Sequence, residues 1–230
     1  LLPAAVDVLD RAQEFEALLQ GRGGFGALNV GATLTVGNYL ATLFIGHFMQ
    51  LHPESRVQLT VHNTATVVQQ VLNYELDVGM IEGEAYAPEL VVKPWLEDEL
   101  VVFAAPGHPL AGKKATLDQL AKEPWILREL GSGTREAFDR AIGAHQRQIN
   151  VRLELEHTEA IKRAVESGLG IGCISRLALR DAFRRKSLLP INVPGLNLRR
   201  HFYFIWHRNK YQTETMRAFI ALDQTALIES

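Results

Sequence analysis

The sequence has one cysteine, Cys173, among 230 residues. That excludes an internal disulfide and any cysteine-rich metal site. Cys173 lies in the apolar run Gly170-Ile171-Gly172-Cys173-Ile174-Ser175, so it reads as a small buried hydrophobe and not as a nucleophile. A surplus of basic charge is also missing. Lys and Arg total 24 against 26 Asp and Glu, a net charge of −2. A domain that binds nucleic acid by itself carries a basic footprint, so direct binding of DNA or RNA by these residues is not expected. No apolar run reaches the 18 or so residues of a membrane span. Leu1-Leu2-Pro3 lacks the basic flank of a secretory leader.

Catalytic and metal patterns are missing too. His47 and His52 are five apart, not the i, i+4 of a helical zinc pair, and no HExxH occurs. Ser175 lacks the glycines of a nucleophile elbow. No nucleophile–base pair assembles, so no catalytic residue, metal or cofactor is assigned. Glu97, Asp98 and Glu99 are consecutive and read as a solvated strand end, and Arg184-Arg185-Lys186 and Arg199-Arg200 as surface charge. Glu82, at a strand end, either lines a cleft or faces solvent. Hydrophobic residues at 47% and charged residues at 22% describe an ordinary globular chain with a sizeable core.

Residues 1–20 read as a helix stopped by Gly21, Gly23 and Gly24. Leu1, Ala5, Val8, Ala12, Phe15 and Leu19 alternate spacings of four and three, a coiled-coil seam. We read this helix as the tail of a longer one. From Leu28 onward, short apolar strands alternate with amphipathic helices, the pattern of βαβ units. Strands are predicted at Leu28–Ala32, Val57–Val61, Val78–Ile81, Leu100–Ala105, Trp125–Arg128, Arg152–Glu156, Gly170–Ile174 and His201–Trp206. Helices are predicted at Gly37–Leu51, Thr66–Asn73, Thr116–Ala121, Arg135–His145, Glu159–Ser167, Arg176–Arg185 and Thr213–Ile228. VQLTVHNTATVVQQVLNYELDVGMI and LELEHTEAIKRAVESGLGIGCI share one order: strand, polar turn with Thr, helix, strand. The expected fold is therefore α/β, two Rossmann-like subdomains. Two extended crossover strands, one within Pro94–Ala105 and one at His201–His207, would join them.

Four strand-to-helix turns place hydroxyls, amides or glycines at helix starts: Thr33 and Thr35, Asn63 and Thr64, Gly131-Ser132-Gly133-Thr134, and His157-Thr158. Each alone fits plain N-capping. Together, at the carboxyl ends of parallel strands, they lie where open α/β sheets bind ligands. Backbone N–H groups there attract anions. Gly131-Ser132-Gly133-Thr134 is not a P-loop, because no Gly-Lys-Ser/Thr follows. No lysine lies in these turns, so an anion would be met by helix ends and hydrogen bonds, with His157 adding a charge-assisted bond if protonated. His157 is also the single general-base candidate for an enzyme reading.

The segments HPESRVQLTVHNTATVVQQVLNYELDVGMIEG, ELVVFAAPGHPLAGKKATLDQLAKEPWILRELGSGTREAFD, EAIKRAVESGLGIGCISRLALRD and FYFIWHRNKYQTETMRAFI resemble, in that order, the effector-binding domain of LysR-type transcriptional regulators. The resemblance covers about residues 25–222. It implies a periplasmic-binding-protein-like (type 2) fold. Residues 1–24 would be the remnant of a dimerising linker helix, 25–98 plus 209–230 subdomain I, and 99–208 subdomain II, with the winged helix-turn-helix outside this sequence. It also implies an effector between the subdomains, held by Thr33, Thr35, Asn63, Thr64, Gly131, Ser132, Gly133, Thr134, His157 and Thr158. Further implications are a homodimer or homotetramer, promoter DNA bound through the missing N-terminal domain, and a cytoplasmic location with no membrane partner. The dimer would set helix Gly37–Leu51 of one chain against its partner's other subdomain. The REL-GSGTR wording resembles the sulfur-metabolism branch, which points to a small anion such as a sulfur oxyanion. The competing reading is a periplasmic solute-binding protein for a small anion.

Overall fold

The computed structural model describes residues 2–143 and 149–222. It divides into two compact units, one of residues 1–95 and 202–230 and one of residues 96–201. The parts of the expected helices at residues 144–145 and 223–228, and Leu1 of the seam, lie outside the described residues.

In the first unit, helix α1 (Leu2–Leu19) precedes strand β1 (Ala27–Ala32). A continuous helical run follows: α2 (Leu34–Val36), a π turn at Gly37–Ala41, and α3 (Thr42–Leu51). Strand β2 (Arg56–Val61), helix α4 (Thr64–Leu72) and strand β3 (Val78–Glu82) complete the βαβ pattern. Strand β4 (Leu90–Ala104) starts in this unit and continues into the second, and β9 (Arg199–His207) returns from it to helix α9 (Glu214–Ala221). The sheet order is β2-β1-β3-β9; β1 runs parallel to β2 and β3, and β9 is antiparallel to β3. The run starts at Leu34, not at Gly37 as the apolar spacing suggested, because Thr33 adopts an extended N-cap conformation. Gly37 permits close approach of β2, since a Cβ there would lie 2.8 Å from Val61 Cγ2. Behind the sheet, Phe44, Phe48, Trp95, Phe204 and Phe219 pack edge-on or tilted, with ring centroids 5.0–6.1 Å apart. Such geometry adds to their burial energy.

The second unit contains helix α5 (Leu117–Leu120), β5 (Pro124–Arg128), α6 (Gly133–Ile142), β6 (Asn150–Leu155), α7 (Thr158–Glu166), β7 (Ile171–Ser175), α8 (Arg176–Arg185) and β8 (Leu189–Ile191). The strand β8 is too short to have shown a pattern in sequence. Its sheet runs β4-β7-β5-β6; β5 is parallel to β6 and β7, and β4 is antiparallel to β7 and β8. Trp125 and Leu127 face one way and pack with Phe138 and Ile142 of α6. Ile126 faces the other way. It pairs with Gly172, where an added Cβ would lie 3.2 Å from Val165 Cγ2 of α7. Thus α6 and α7 cover opposite faces of one sheet, as βαβ crossovers require. Cys173 is fully buried, and burial pushes its thiol up in pKa, away from reactivity.

Helix α1 lies on the first unit through charge. Lys210 Nζ, nearly enclosed, reaches Asp10 Oδ2 at 2.6 Å and Asp77 Oδ1 at 2.8 Å. Tyr211 donates its hydroxyl to Glu14 at 2.6 Å, and the Glu214 N–H donates to the same carboxylate at 2.7 Å. The opposite face presents the seam: Ala5, Val8, Ala12, Phe15 and Leu19 are all exposed. Burial pulls the Lys210 ammonium down, but Asp77 and Asp10 outweigh it and hold its pKa above the ordinary 10.5. The stability this cation supplies is complete below pH 10.5 and is lost as pH rises through the folded value. Lys210→Met, which leaves two carboxylates facing each other, should release α1. Amide exchange in residues 2–19 then rises toward that of free peptide while β1 and β3 stay protected. Unchanged protection in α1 would show that the clamp does not hold it.

Candidate functional site

The four predicted turns fall two in each unit. In the first unit, Thr33, Thr35 and Thr64 converge on one residue, Glu82, which ends β3. The Glu82 N–H donates to Thr33 Oγ1 at 3.0 Å, and the Thr64 hydroxyl donates to the Glu82 carbonyl at 3.1 Å. The Glu82 carboxylate accepts the Thr35 N–H at 2.5 Å. Glu82 is 1% exposed, so it neither faces solvent nor simply lines an open surface. The start of the run at Leu34 is thus already engaged by a carboxylate of the chain, as the positive end of a helix favours. Thr35 sits inside the helical run and not in the turn. Asn63 is a plain N-cap; its side-chain oxygen accepts the Thr66 N–H at 3.0 Å.

In the second unit, Gly131 makes the turn possible with φ +89°, a conformation that other residues resist. Ser132 caps α6 by accepting the Arg135 N–H at 3.4 Å. Gly133 and Thr134 open the helix and are buried. The Thr134 hydroxyl accepts a hydrogen bond from Arg200 Nη1 at 3.0 Å. Arg200 Nε pairs with Asp98 Oδ2 at 2.7 Å, and the other Asp98 oxygen accepts the Ser175 hydroxyl at 2.7 Å. Ser175 in turn caps α8 by accepting the Leu177 N–H at 3.2 Å. Two expectations need correction here. Arg200 is not surface charge, and Asp98 is not a solvated strand end, because their side chains are 4% and 2% exposed. Each alternates with buried neighbours, Phe202 and Phe204 for one and Leu100 and Val102 for the other. The pleat therefore turns both inward.

His157 and Thr158 begin α7. Thr158 is buried; His157 is exposed and makes no side-chain cap bond. Five residues upstream of α6, Arg128 is 2% exposed. Its Nε and Nη2 bind the two Glu129 oxygens at 2.8 and 3.0 Å. Its carbonyl accepts Arg135 Nη1 at 2.9 Å, and Arg135 also pairs with Asp139 and Glu154. Sequence reasoning left Glu82 open between a cleft and solvent, misread Asp98 and Arg200 as solvated, and did not single out Arg128. Among the described residues no group of His, Cys, Asp or Glu is arranged to hold a metal, and no helix is long and apolar enough to cross a membrane.

A model of the LysR substrate binding domain matches residues 21–227. Over 220 residues the chain is 42% identical to the uncharacterized HTH-type transcriptional regulator YeiE of Escherichia coli (strain K12), spanning 96% of this chain and 74% of that protein. It is 29% identical to the HTH-type transcriptional regulator CysL of Bacillus subtilis (strain 168), across 86% of this chain and 66% of CysL. Among solved structures, the CcmR regulatory domain of Synechocystis PCC6803, in complex with 2-PG, superposes with a TM-score of 0.76 at 30% identity. That match covers 85% of this chain and 94% of the other. The cofactor-binding domain of the Cbl transcriptional regulator shares the fold, with a TM-score of 0.75 at 23% identity over 90% of this chain and 95% of Cbl's.

The buried pair gives a direct test of the second unit's architecture. Arg200→Met leaves Asp98 buried without its cation and should cost about 3–5 kcal/mol in urea unfolding. Adding Asp98→Leu should recover most of that loss, because an apolar pair of similar volume is tolerated where a lone charge is not. A single variant within about 1 kcal/mol of the parent, the size of a surface pair, would contradict the assignment.

Proposed function

The chain belongs to the LysR-type transcriptional regulators, as their effector-binding domain with a periplasmic-binding-protein-like fold, and on that footing we propose that it senses a small anion. The observation that carries the reading is the concentration of hydroxyl and backbone donors at helix starts. In the first unit Thr33, Thr35, Asn63 and Thr64 stand at such starts, with Thr33, Thr35 and Thr64 bonded to Glu82 and Asn63 capping its helix. Gly131, Ser132, Gly133, Thr134, His157 and Thr158 supply the donors in the second. Helix starts of this kind bind oxyanions through N–H groups and the local positive field. The CcmR regulatory domain in complex with 2-PG supports a small-ligand role for this fold at 30% identity.

We take the effector to be a small oxyanion, with sulfur oxyanions first, because the donors at these turns are short and mostly uncharged. The domain acts as a sensor and not as an enzyme, in the cytoplasm, within a homodimer or homotetramer whose promoter contacts come from an N-terminal DNA-binding domain outside these residues. Two surfaces support self-association. The α1 seam is exposed, and Leu43, Met49 and Leu51 expose 53%, 40% and 54% of their surface along one helix. Exposed apolar stripes of this kind mark interfaces. A periplasmic solute-binding protein would have no use for the seam.

A melting screen with sulfite, sulfate, thiosulfate, phosphate and benzoate tests the effector class. A ligand at a hundredfold excess over its dissociation constant stabilises by about 2.7 kcal/mol. For a domain of this size that raises the melting temperature by roughly 2–4 °C per kcal/mol. The expected result is a shift with one or more of the four inorganic anions, lost in Thr134→Val and in Gly133→Leu. A shift that survives both changes, or one given by benzoate alone, would contradict the oxyanion reading.

A further inference from the structure

The donor that most needs a ligand belongs to Arg128. This guanidinium is 2% exposed. Glu129 grips it along one edge, taking Nε and Nη2. The remaining nitrogen, Nη1, is buried and has no hydrogen-bond partner in the protein. A buried charged donor without an acceptor costs more than an ordinary lost hydrogen bond, and native proteins leave few such groups without a reason.

The strand register fixes the face of the sheet on which Arg128 lies. It lies two residues beyond Ile126 in β5, so the pleat puts its side chain on the same face of the sheet. That face is the one α7 covers, through Val165 against Gly172 and its strand partner Ile126. Along the strand, Arg128 pairs with Leu155, three residues before α7 begins at Thr158. Arg128 therefore stands at the α7 end of the sheet, on the side of its first turn. Helix α7 has nine residues, and its N-cap, His157, makes no side-chain cap bond. Thr158 and Lys162 follow on the helix's buried face. Lys162 is paired with Glu159 at 2.8 Å, and Arg128 with Glu129, so both cations are matched within the unit. What remains is a buried N–H donor without a partner, on the face of the sheet that α7 covers.

We propose that Arg128 Nη1 and the first turn of α7 form an anion subsite that holds one oxygen edge of the effector. The oxyanion would accept from Arg128 Nη1 and from the α7 start, a charge-assisted pair of the shorter and stronger kind. This rests on the effector reading above and names a residue for it. Because Glu129 already balances the Arg128 charge, the subsite favours a ligand with a well-placed acceptor oxygen over one with high charge alone. A planar guanidinium meets that need and an ammonium does not.

Calorimetric titration with sulfite and with sulfate tests the subsite. Arg128→Met combined with Glu129→Gln, so that no carboxylate is stranded, should weaken the anion that binds the parent by about tenfold or more. Arg128→Lys should recover little. If the double variant does not fold, nitrogen-15 shifts of the Arg128 guanidinium in the parent protein give the same answer, moving on titration as an acceptor reaches Nη1. Affinity within twofold of the parent in a folded double variant overturns the subsite, as does an unmoved guanidinium signal at saturation. A parent protein that binds neither these two anions nor thiosulfate or phosphate overturns the effector reading itself, and the subsite with it.

Discussion

The burial of Asp98 and Arg200 as a pair constrains how the second unit is built. Removing a carboxylate and a guanidinium from water is costly, and only close pairing with further hydrogen bonds makes it tolerable. The chain supplies both. Asp98 is in β4 and Arg200 in β9, so the pair joins the two strands through which the chain enters and leaves this unit. The second carboxylate oxygen takes the Ser175 hydroxyl, which also caps α8. One guanidinium nitrogen reaches the Thr134 hydroxyl at the start of α6. A single ion pair thereby fixes two strands and two helix starts, and one of those starts belongs to the proposed effector site. A ligand that alters the hydrogen bonding of Thr134 acts directly on the group that holds β4 and β9 together.

The two units treat negative charge differently. In the first, the chain places its own carboxylate, Glu82, on the Thr35 N–H, with Thr33 and Thr64 fixing the Glu82 backbone. The corresponding helix starts of the second unit are capped by a hydroxyl at Ser132 and by no side chain at His157. The acceptor role at the first helix of the first unit is thus filled by the chain itself. Arg128 and Arg200, buried in strands beside the turns, are each matched by a carboxylate, Glu129 and Asp98.

The strand–helix alternation was legible because it rests on period-two and period-3.6 apolar patterns, which local burial enforces. Helix Arg176–Arg185 has the predicted limits, and Ala5, Val8, Ala12, Phe15 and Leu19 of α1 are exposed. Some boundaries shifted. The helix expected to start at Gly37 begins three residues earlier, where Thr33 takes the extended N-cap conformation. The hydroxyls of the turns were visible as residue types. Their charged partners were not, because pairing of residues such as Asp98 with Arg200, 102 positions apart, leaves no mark on either segment alone. Strict alternation did carry a signal: Arg200 is in phase with Phe202 and Phe204, and Asp98 with Leu100 and Val102. Reading adjacent like charges as a solvated run hid it. Glu82 and Arg128 each end a buried strand, and nothing in their neighbours says whether the last side chain turns in or out.

The most direct test of anion sensing is a crystal of the domain grown with selenate, whose selenium gives an anomalous signal that locates the ion without bias. The account predicts a peak within hydrogen-bonding distance of the helix starts at Ser132–Thr134 or Thr158 in the second unit. Selenium found only against exposed surface lysines or arginines, with those starts left without an ion at saturating selenate, would contradict it.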